Sequence, residues 1–279
     1  MRPAGEATLT SIGEAELADW KRDLGERVVL HEGRWWHAVR PGFYRPVHHL
    51  ARLTAEQATR PAVACWGFHA SLRDEDAAQA NTMFPTHRVT NLDEFDESHL
   101  SSNRRYQLRK ARRLSEVVEL TGPRLLLEQG YEVLRSAMER TGHGRMPSRE
   151  EFAREIEVSV RPGRRFVLAG LVDGKLAGYI EGNAVDGVGY LGELYVATEA
   201  LGTNVSSALQ FEFALICRRS EGITELVHGV EAKHDEKLTM FKERLGFPVN
   251  PVPARISMLP GTGALIRRLA PSSYYRLTA

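Results

Sequence analysis

Two Asp-Gly pairs, Asp173-Gly174 and Asp186-Gly187, divide an apolar stretch of the sequence into three strand-like segments. Asp-Gly between apolar runs favours a two-residue hairpin turn, because both turn positions need a positive φ, which Asp and Gly tolerate. The sequence therefore predicts an antiparallel meander of three strands, at residues 166–171, 175–184 and 188–198.

Two helices and a fourth strand are predicted after the meander. Five apolar residues recur at the spacing of one helical face: Val205, Ala208, Leu209, Phe213 and Ile216. Residues 225–230 have the composition of a strand, and a second amphipathic helix follows, which Gly246 ends at its C-terminus. The predicted order is β-β-β-α-β-α, which is a mixed α/β fold of the α+β type.

This order and the phrase LTMFKERLGF at residues 238–247 resemble the GCN5-related N-acyltransferase (GNAT) superfamily, and within it the FemAB-like branch with its BioF2-like acetyltransferases. The resemblance covers about the last 120 residues, with a second matching patch at residues 101–113. It implies a mostly antiparallel mixed sheet flanked by helices, in which the strand at 188–198 parts from its neighbour. It also implies two GNAT-like halves, a degenerate N-terminal half at residues 1–120 and an acyltransferase half at residues 121–279.

The composition is that of an ordinary globular protein. The 279 residues are 42% apolar and 26% charged, and 37 basic against 36 acidic residues leave a formal charge of +1. A charge this small predicts neither nucleic-acid nor membrane binding from the chain as a whole. With no signal-like segment and no apolar run of the roughly 20 residues that a bilayer span needs, we expect a cytoplasmic protein without a membrane partner.

Cysteine and histidine spacings predict no metal site. Cys65 and Cys217 lie far apart in the sequence and are expected to be buried free thiols. The histidines form no HExxH or clustered ligand pattern, so no metal cofactor is expected.

Glu193 is the candidate general base. It lies in YLGELYV, and strand alternation predicts that it shares a face with Leu191 and Tyr195. Burial among large side chains would raise its pKa and make it a better base near neutral pH. The resemblance implies that a glutamate on this strand deprotonates the acceptor amine, with Tyr195 beside the substrate. The alternative is a structural carboxylate that pairs with a basic neighbour.

Lys242 is the candidate stabiliser of the tetrahedral oxyanion. Many members of the superfamily carry a tyrosine near this point as general acid, whereas Phe241 here cannot donate a proton. FemAB-like proteins share the Phe-Lys pair before the closing glycine, and the resemblance implies that the lysine stabilises charge at the reaction centre. The alternative is a solvated lysine on an amphipathic helix.

The segment ALGTNVSS at residues 200–207 occupies the position of the donor-binding loop. A helix N-terminus offers free N–H groups to a pyrophosphate, and the predicted contacts are Val196, Gly202, Thr203, Asn204, Val205 and Ser206. The single glycine departs from the usual glycine-rich form, and the polar residues could equally cap the helix without a ligand. Acyl-CoA is therefore the first expected donor, and aminoacyl-tRNA, which the FemAB-like branch implies, is the second.

A basic segment, NRRYQLRKARR at residues 103–113, matches a helix near the substrate cleft of FemAB-like proteins. Arg109 and Lys110 are the matched positions, and they are expected to contact phosphates of a nucleotide-linked acceptor or of tRNA. The alternative is a basic surface that pairs with the acidic residues upstream. His143, between two glycines, and His234, before the last helix of the motif, are further predicted substrate contacts.

Together these patterns predict an N-acyltransferase that moves an acyl group from an activated donor to a small-molecule amine. Glu193 would act as base and Lys242 as oxyanion stabiliser. A tRNA-dependent, amide-forming transferase of the FemAB-like kind is the alternative enzyme. A catalytically idle fold that binds nucleic acid through residues 103–113 is the non-enzymatic alternative.

Overall fold

The computed structural model describes residues 1–142, 145–161, 164–231 and 235–278, and the chain divides into two compact units. The first unit contains Met1–Ile12 and Arg88–Pro248, and the second contains Gly13–His87 and Val249–Ala279. The first unit thus includes residues on both sides of residue 120, and each unit has its own hydrophobic core.

Thirteen strands are present in the described residues. They are β1 Arg2–Pro3, β2 Ser11–Ile12, β3 Val28–His31, β4 Arg34–Arg40, β5 Phe43–Pro46, β6 Gly67–Ser71, β7 Thr82–Val89, β8 Glu116–Glu119, β9 Phe166–Val172, β10 Lys175–Val185, β11 Val188–Val196, β12 Glu225–Val230 and β13 Val249–Met258.

Eight α-helices accompany these strands in the described part of the chain. They are α1 Glu14–Asp23, α2 Ser102–Leu114, α3 Tyr131–Thr141, α4 Arg149–Ser159, α5 Val205–Arg219, α6 Glu236–Glu243, α7 Thr262–Leu269 and α8 Pro271–Thr278. A π-helical turn, Leu126–Gly130, leads into α3, and a 3-10 helix, Thr198–Thr203, precedes α5. None of the described helices is long and apolar enough to cross a bilayer.

The sheet of the first unit has the strand order β1-β8-β9-β10-β11-β12, with β2 paired to the end of β10. Neighbours from β1 to β11 are antiparallel, and β11 and β12 are parallel. The two predicted hairpins are confirmed, because Asp173 and Asp186 have φ values of 49° and 47° and the glycines that follow also have positive φ. The predicted mixed, mostly antiparallel fold is therefore correct for this unit.

Helix α5 lies on one face of this sheet, and glycines allow it to approach closely. A Cβ atom built on Gly170 of β9 would lie 2.2 Å from Val205, and one on Gly182 of β10 would lie 2.3 Å from Phe213. Phe213 is fully buried. Because both contacts are shorter than any real carbon–carbon contact, side chains at these positions would force α5 away from the sheet.

Helices α3 and α4 cover the opposite face. Their side chains meet Tyr179 and Glu181 of β10, which alternate along the strand with Gly182 on the α5 face. Helix α4 begins with a capping box, in which the Ser148 hydroxyl accepts from the Glu151 amide at 3.1 Å.

The second unit has the strand order β7-β13-β6-β5-β4-β3, with β7 included to His87. Strands β3, β4 and β5 form an antiparallel meander, and β5 and β6 are parallel. Its core contains the fully buried side chains of Trp36, Tyr44, Leu53 and Leu72.

Two prolines, Pro251 and Pro253, lie within a regular strand. Both lie in β13, which pairs with β7 through residues 249–254 and with β6 through residues 254–258. At both prolines, β13 has a strand partner on one side only. Because the other side has no partner strand there, the N–H groups that the prolines lack cost no ladder hydrogen bond on that side.

We expect Gly182→Ala to destabilise the first unit by about 1–3 kcal/mol, because its Cβ would overlap the Phe213 ring and lie 2.6 Å from the Tyr190 carbonyl oxygen. The midpoint of urea unfolding measures the effect. Gly122→Ala is the matched control, because a Cβ there meets nothing within 4 Å. Equal midpoints for the two variants would contradict the close packing of α5.

Candidate active site

Strands β11 and β12 part after a short stretch of pairing. Their parallel register joins residues 188–190 to residues 225–227, and the described remainder of β11, residues 191–196, has no partner in β12. Backbone N–H and C=O groups on this side of β11 are therefore not used in a ladder with β12. This is the separation that the resemblance implied.

A β-bulge lies on the other side of β11, in its pairing with β10. Ile180 is opposite Leu194 and Gly182 is opposite Leu191, so that two residues, Gly192 and Glu193, face the single residue Glu181. A Cβ on Gly192 would lie 3.1 Å from the Glu181 carbonyl oxygen, which explains a glycine at this point.

The bulge corrects the predicted environment of Glu193. Strand alternation predicted that Glu193 shares a face with Leu191 and Tyr195, but the extra residue turns Leu191 to the other face. Glu193 and Tyr195 do lie together, and Glu193 is exposed. The burial that was to make Glu193 a better base is therefore absent.

A cleft of about 660 Å³ lies between α3, α4 and the strands β10 and β11. The strands contribute Tyr179, Glu181, Glu193 and Tyr195 to its wall, and Arg165 lies beside them. The cleft is formed within the first unit.

Glu181 is the strongly perturbed carboxyl group of this cleft. Burial raises its pKa to about 7, although the Arg165 guanidinium, 3.1 Å away, opposes the shift. The negative charges of Glu155 and Glu193 raise the pKa further. Near neutral pH both protonation states of Glu181 are populated, which is the property of an efficient general base.

Glu181 was not predicted from the sequence as a site residue. The available signal was a single charged residue within GYIEGN, a strand segment that is otherwise apolar or small. A charged residue in a strand buried on both faces is expected only with a partner or a function. Its partner, Arg165, precedes β9 and could not be assigned without the register between β9 and β10.

Two tyrosines stand next to Glu181. The hydroxyl of Tyr179 is buried and has no hydrogen-bond partner among the described residues, and its ring centroid lies 5.3 Å from that of Tyr195. Burial raises the pKa of both phenols, so both remain neutral hydrogen-bond donors near pH 7. An unsatisfied buried hydroxyl costs stability unless a ligand or water supplies a partner.

The six predicted donor contacts lie between the end of β11 and the first turn of α5. Asn204 adopts the left-handed conformation (φ 60°) before α5, and its own side chain does not cap the helix. The Thr203 hydroxyl donates to the Ala200 carbonyl oxygen at 2.7 Å and accepts from the Val205 amide at 3.3 Å, so it holds the turn together. Val205 is buried, Gly202 is exposed and Ser206 is half-buried.

Val196, the remaining predicted contact, ends β11. Its carbonyl oxygen accepts a hydrogen bond from Arg140 of α3 at 2.9 Å, and Arg140 also donates to Thr198 at 3.0 Å. The Val196 carbonyl oxygen thus already has a hydrogen-bond partner within the first unit, and this bond ties α3 to the end of β11.

Lys242 lies near the end of β12. Its side chain is buried, its Nζ donates to the Val230 carbonyl oxygen at 3.3 Å, and burial lowers its pKa to about 8. It is not one of the residues that line the cleft with Glu181. Lys242 and Glu193 thus flank the two strands that part, one beside β12 and the other on β11.

No protein-family model matches the chain, and no curated protein matches it in sequence. Solved structures do. The C-terminal domain (DUF2156) of a putative lysylphosphatidylglycerol synthetase from Agrobacterium fabrum is similar with a TM-score of 0.63 and 12% identity, over 93% of this chain and 97% of that one. FemX is similar with a TM-score of 0.60 and 12% identity, over 90% and 92%. L-PGS from Bacillus licheniformis is similar with a TM-score of 0.58 and 14% identity, over 96% and 99%.

The chain therefore shares the fold of these three structures, FemX among them. In this chain the parted strand β11, with its bulge, forms one wall of the cleft beneath α3 and α4.

The basic segment forms α2, and its cations divide into two groups. Arg112 contacts Glu97 and Glu212, at 2.5 and 3.0 Å, so the acidic residues upstream take part in ion pairing. Arg109 is exposed and Lys110 half-buried, and neither has an ion-pair partner among the described residues. His143 and His234 lie outside the described residues, and no cluster of metal-ligating side chains occurs within them.

We expect the Glu181 carboxyl group to titrate with a midpoint near 7, measured by carbon-13 NMR of labelled glutamate side chains. Glu193→Gln should lower that midpoint, because it removes a negative charge that disfavours ionisation of Glu181. Glu151→Gln, which removes an exposed carboxyl group outside the cleft, is the control and should leave the midpoint in place. A midpoint near the ordinary 4.5 would contradict the assignment.

Proposed function

We propose that the protein is an acyltransferase that forms an amide between an activated acyl group and an amine bound in the cleft. The observation that carries this proposal is Glu181, a buried carboxyl group with a pKa of about 7, opposite the bulge of the parted strand. Amine acylation needs a base that is active near neutral pH, because an ammonium group cannot attack a carbonyl carbon.

The acceptor would enter from the α3 and α4 side. Glu181 and Glu193 would attract its ammonium group, and the Glu181 carboxylate would remove one proton. Tyr179 would donate a hydrogen bond to the bound acceptor, which would give its hydroxyl the partner that it lacks among the described residues. Glu193 is the alternative base, acting from an exposed position through water.

The donor would lie along the unpaired side of β11, whose free backbone groups can bind an extended ligand. The amine nitrogen would attack the acyl carbon and form a tetrahedral oxyanion. Lys242, still largely protonated at pH 7 with a pKa of about 8, would stabilise this charge. The nitrogen of the intermediate then loses a second proton to solvent, and collapse forms the amide and expels the leaving group, which takes the proton held by Glu181.

We propose two alternative classes of donor, acyl-CoA and aminoacyl-tRNA. The N-terminus of α5, which the Asn204 side chain does not cap, supports binding of the pyrophosphate of acyl-CoA or of a backbone phosphate of aminoacyl-tRNA. The side of α2 with exposed Tyr106, Arg109 and Arg113 and half-buried Lys110 favours a polyanionic donor, since it combines cations with an aromatic ring. The name lysylphosphatidylglycerol synthetase of one similar structure also favours aminoacyl transfer.

We expect a bell-shaped pH profile of kcat/KM, which rises through about 7 as Glu181 ionises and falls through about 8 as Lys242 loses its proton. Glu181→Gln should remove the acidic limb and lower kcat/KM by about 10²–10⁴-fold. Lys242→Met should remove the alkaline limb. Steady-state assays from pH 5 to pH 10 with the best donor measure both limbs.

Glu193→Gln distinguishes the two candidate bases. If Glu181 is the base, this variant keeps an acidic limb, displaced to lower pH by the lost negative charge. If Glu193 is the base, the variant loses that limb and Glu181→Gln keeps it. Full activity in both variants would refute the proposed site.

Thermal unfolding with acetyl-CoA, coenzyme A and aminoacyl-tRNA tests the donor class. A true donor at about 100 times its dissociation constant should stabilise the protein by about 2.7 kcal/mol. If tRNA binds, Arg109→Gln should lower the slope of log K against log salt by about 1, because one phosphate contact is lost. Arg154→Gln, on α4, is the control. Salt-dependent tRNA binding without any transfer would favour the idle nucleic-acid-binding alternative.

A further inference from the structure

A second cavity, of about 260 Å³, lies in the first unit at the start of β9. Its wall is formed by the end of α4, the end of β8 and the N-terminal residues of the chain. Four arginines line it, Arg2, Arg161, Arg164 and Arg165, against a single carboxylate, Glu119. This cavity plays no part in the proposed transfer reaction.

The wall of this cavity contains more guanidinium groups than carboxylates. Arg2 donates to Glu119 at 2.7 Å, so this ion pair neutralises the one acidic residue in the wall. Arg161 donates from Nε to the Glu157 carbonyl oxygen at 3.0 Å, and Arg164 donates from Nη1 to that of Val158 at 3.4 Å. These backbone contacts orient the two guanidinium groups, and no carboxylate pairs with Arg161 among the described residues.

Hydroxyl groups complete the polar wall. Thr8, Thr10 and Thr121 line the cavity, and all three are exposed. Guanidinium groups bind phosphate oxygens in a bidentate manner, and hydroxyls donate to the oxygens that remain. The volume is several times the roughly 30 Å³ that a water molecule occupies, so the cavity has room for one or two phosphate groups.

We propose that this cavity is a binding site for a small phosphate-bearing ligand, with Arg161 and Arg164 as its principal contacts. A concave wall with an excess of arginine also concentrates the positive potential at the site, which favours a compact dianion over chloride. The Arg165 guanidinium faces the other way, because it binds Glu155 at 2.8 Å and Glu181 at 3.1 Å in the cleft. Arg165 therefore lines both cavities but is not a principal contact of the phosphate-bearing ligand.

Isothermal titration calorimetry with sodium pyrophosphate and sodium phosphate tests the proposal, at an ionic strength held constant with sodium chloride. We expect one site with a dissociation constant of about 1 mM or tighter for pyrophosphate. Arg161→Gln should weaken binding about tenfold or more, because a charge-assisted contact is lost. Arg161 is exposed, so the variant is expected to fold.

Arg154→Gln is the matched control, since Arg154 is an exposed arginine of α4, which ends at Ser159 shortly before Arg161, and it does not line the cavity. It should bind pyrophosphate as tightly as the unaltered protein. Arg164→Gln provides a second variant from the wall and should also weaken binding. No saturable binding to the unaltered protein, or equal losses in Arg161→Gln and Arg154→Gln, would overturn the proposal. None of these results depends on transferase activity.

Discussion

The register between β10 and β11 is the constraint on which the rest of the first unit depends. One extra residue in β11 opposite Glu181 turns Glu193 towards α3 and α4, while Leu191 faces the other way. A bulge also increases local strand twist, and in this sheet the parallel pairing with β12 ends at Tyr190, just before the bulge. The bulge therefore explains both why one side of β11 is open and why the carboxylates lie together in the cleft.

Sequence patterns predicted the elements that local chemistry determines. The Asp-Gly turns needed only positive φ, and Gly246, with φ of 88°, ends the last helix of the motif as its sequence position indicated. Strand β7 was not predicted, since TMFPTHRV contains a proline and alternates poorly. Its pairing with β13 is non-local, and its own pattern is too irregular to be recognised alone.

The candidate site was predicted in part for the same reason. Lys242 could be proposed because a short motif marks it, and the turn before α5 because it precedes a predicted helix. Glu193 was expected to be buried, and Glu181 was overlooked, because a bulge cannot be located from a single sequence when it depends on the pairing of two strands. The face that each carboxylate occupies follows from that pairing alone.

The second unit repeats part of the strand order of the first. In both units a three-stranded antiparallel meander is followed by a strand parallel to the third one, as β5 with β6 and β11 with β12. The connection differs, because α5 links β11 to β12 whereas no helix lies between β5 and β6. A sheet without that helix lacks the helix N-terminus proposed to hold a donor. Duplication of a GNAT-like half stays a prediction. The helix between the third and fourth strands is the element that a degenerate half would lose first.

Burial of Glu181 carries a thermodynamic consequence. Its pKa is higher in the folded protein than the ordinary 4.5, so between pH 4.5 and about 7 the unfolded chain releases a proton that the folded chain keeps. Stability must therefore fall as pH rises through this window, and at about 1.4 kcal/mol per pH unit the loss is on the order of 3 kcal/mol. Arg165 limits this cost, since its charge favours the ionised form. If Glu181 were purely structural, the folded protein would be more stable with this carboxylate exposed or paired with a second cation. A carboxyl group whose pKa lies near 7 despite this loss of stability is better explained by the proton transfer that we propose for it.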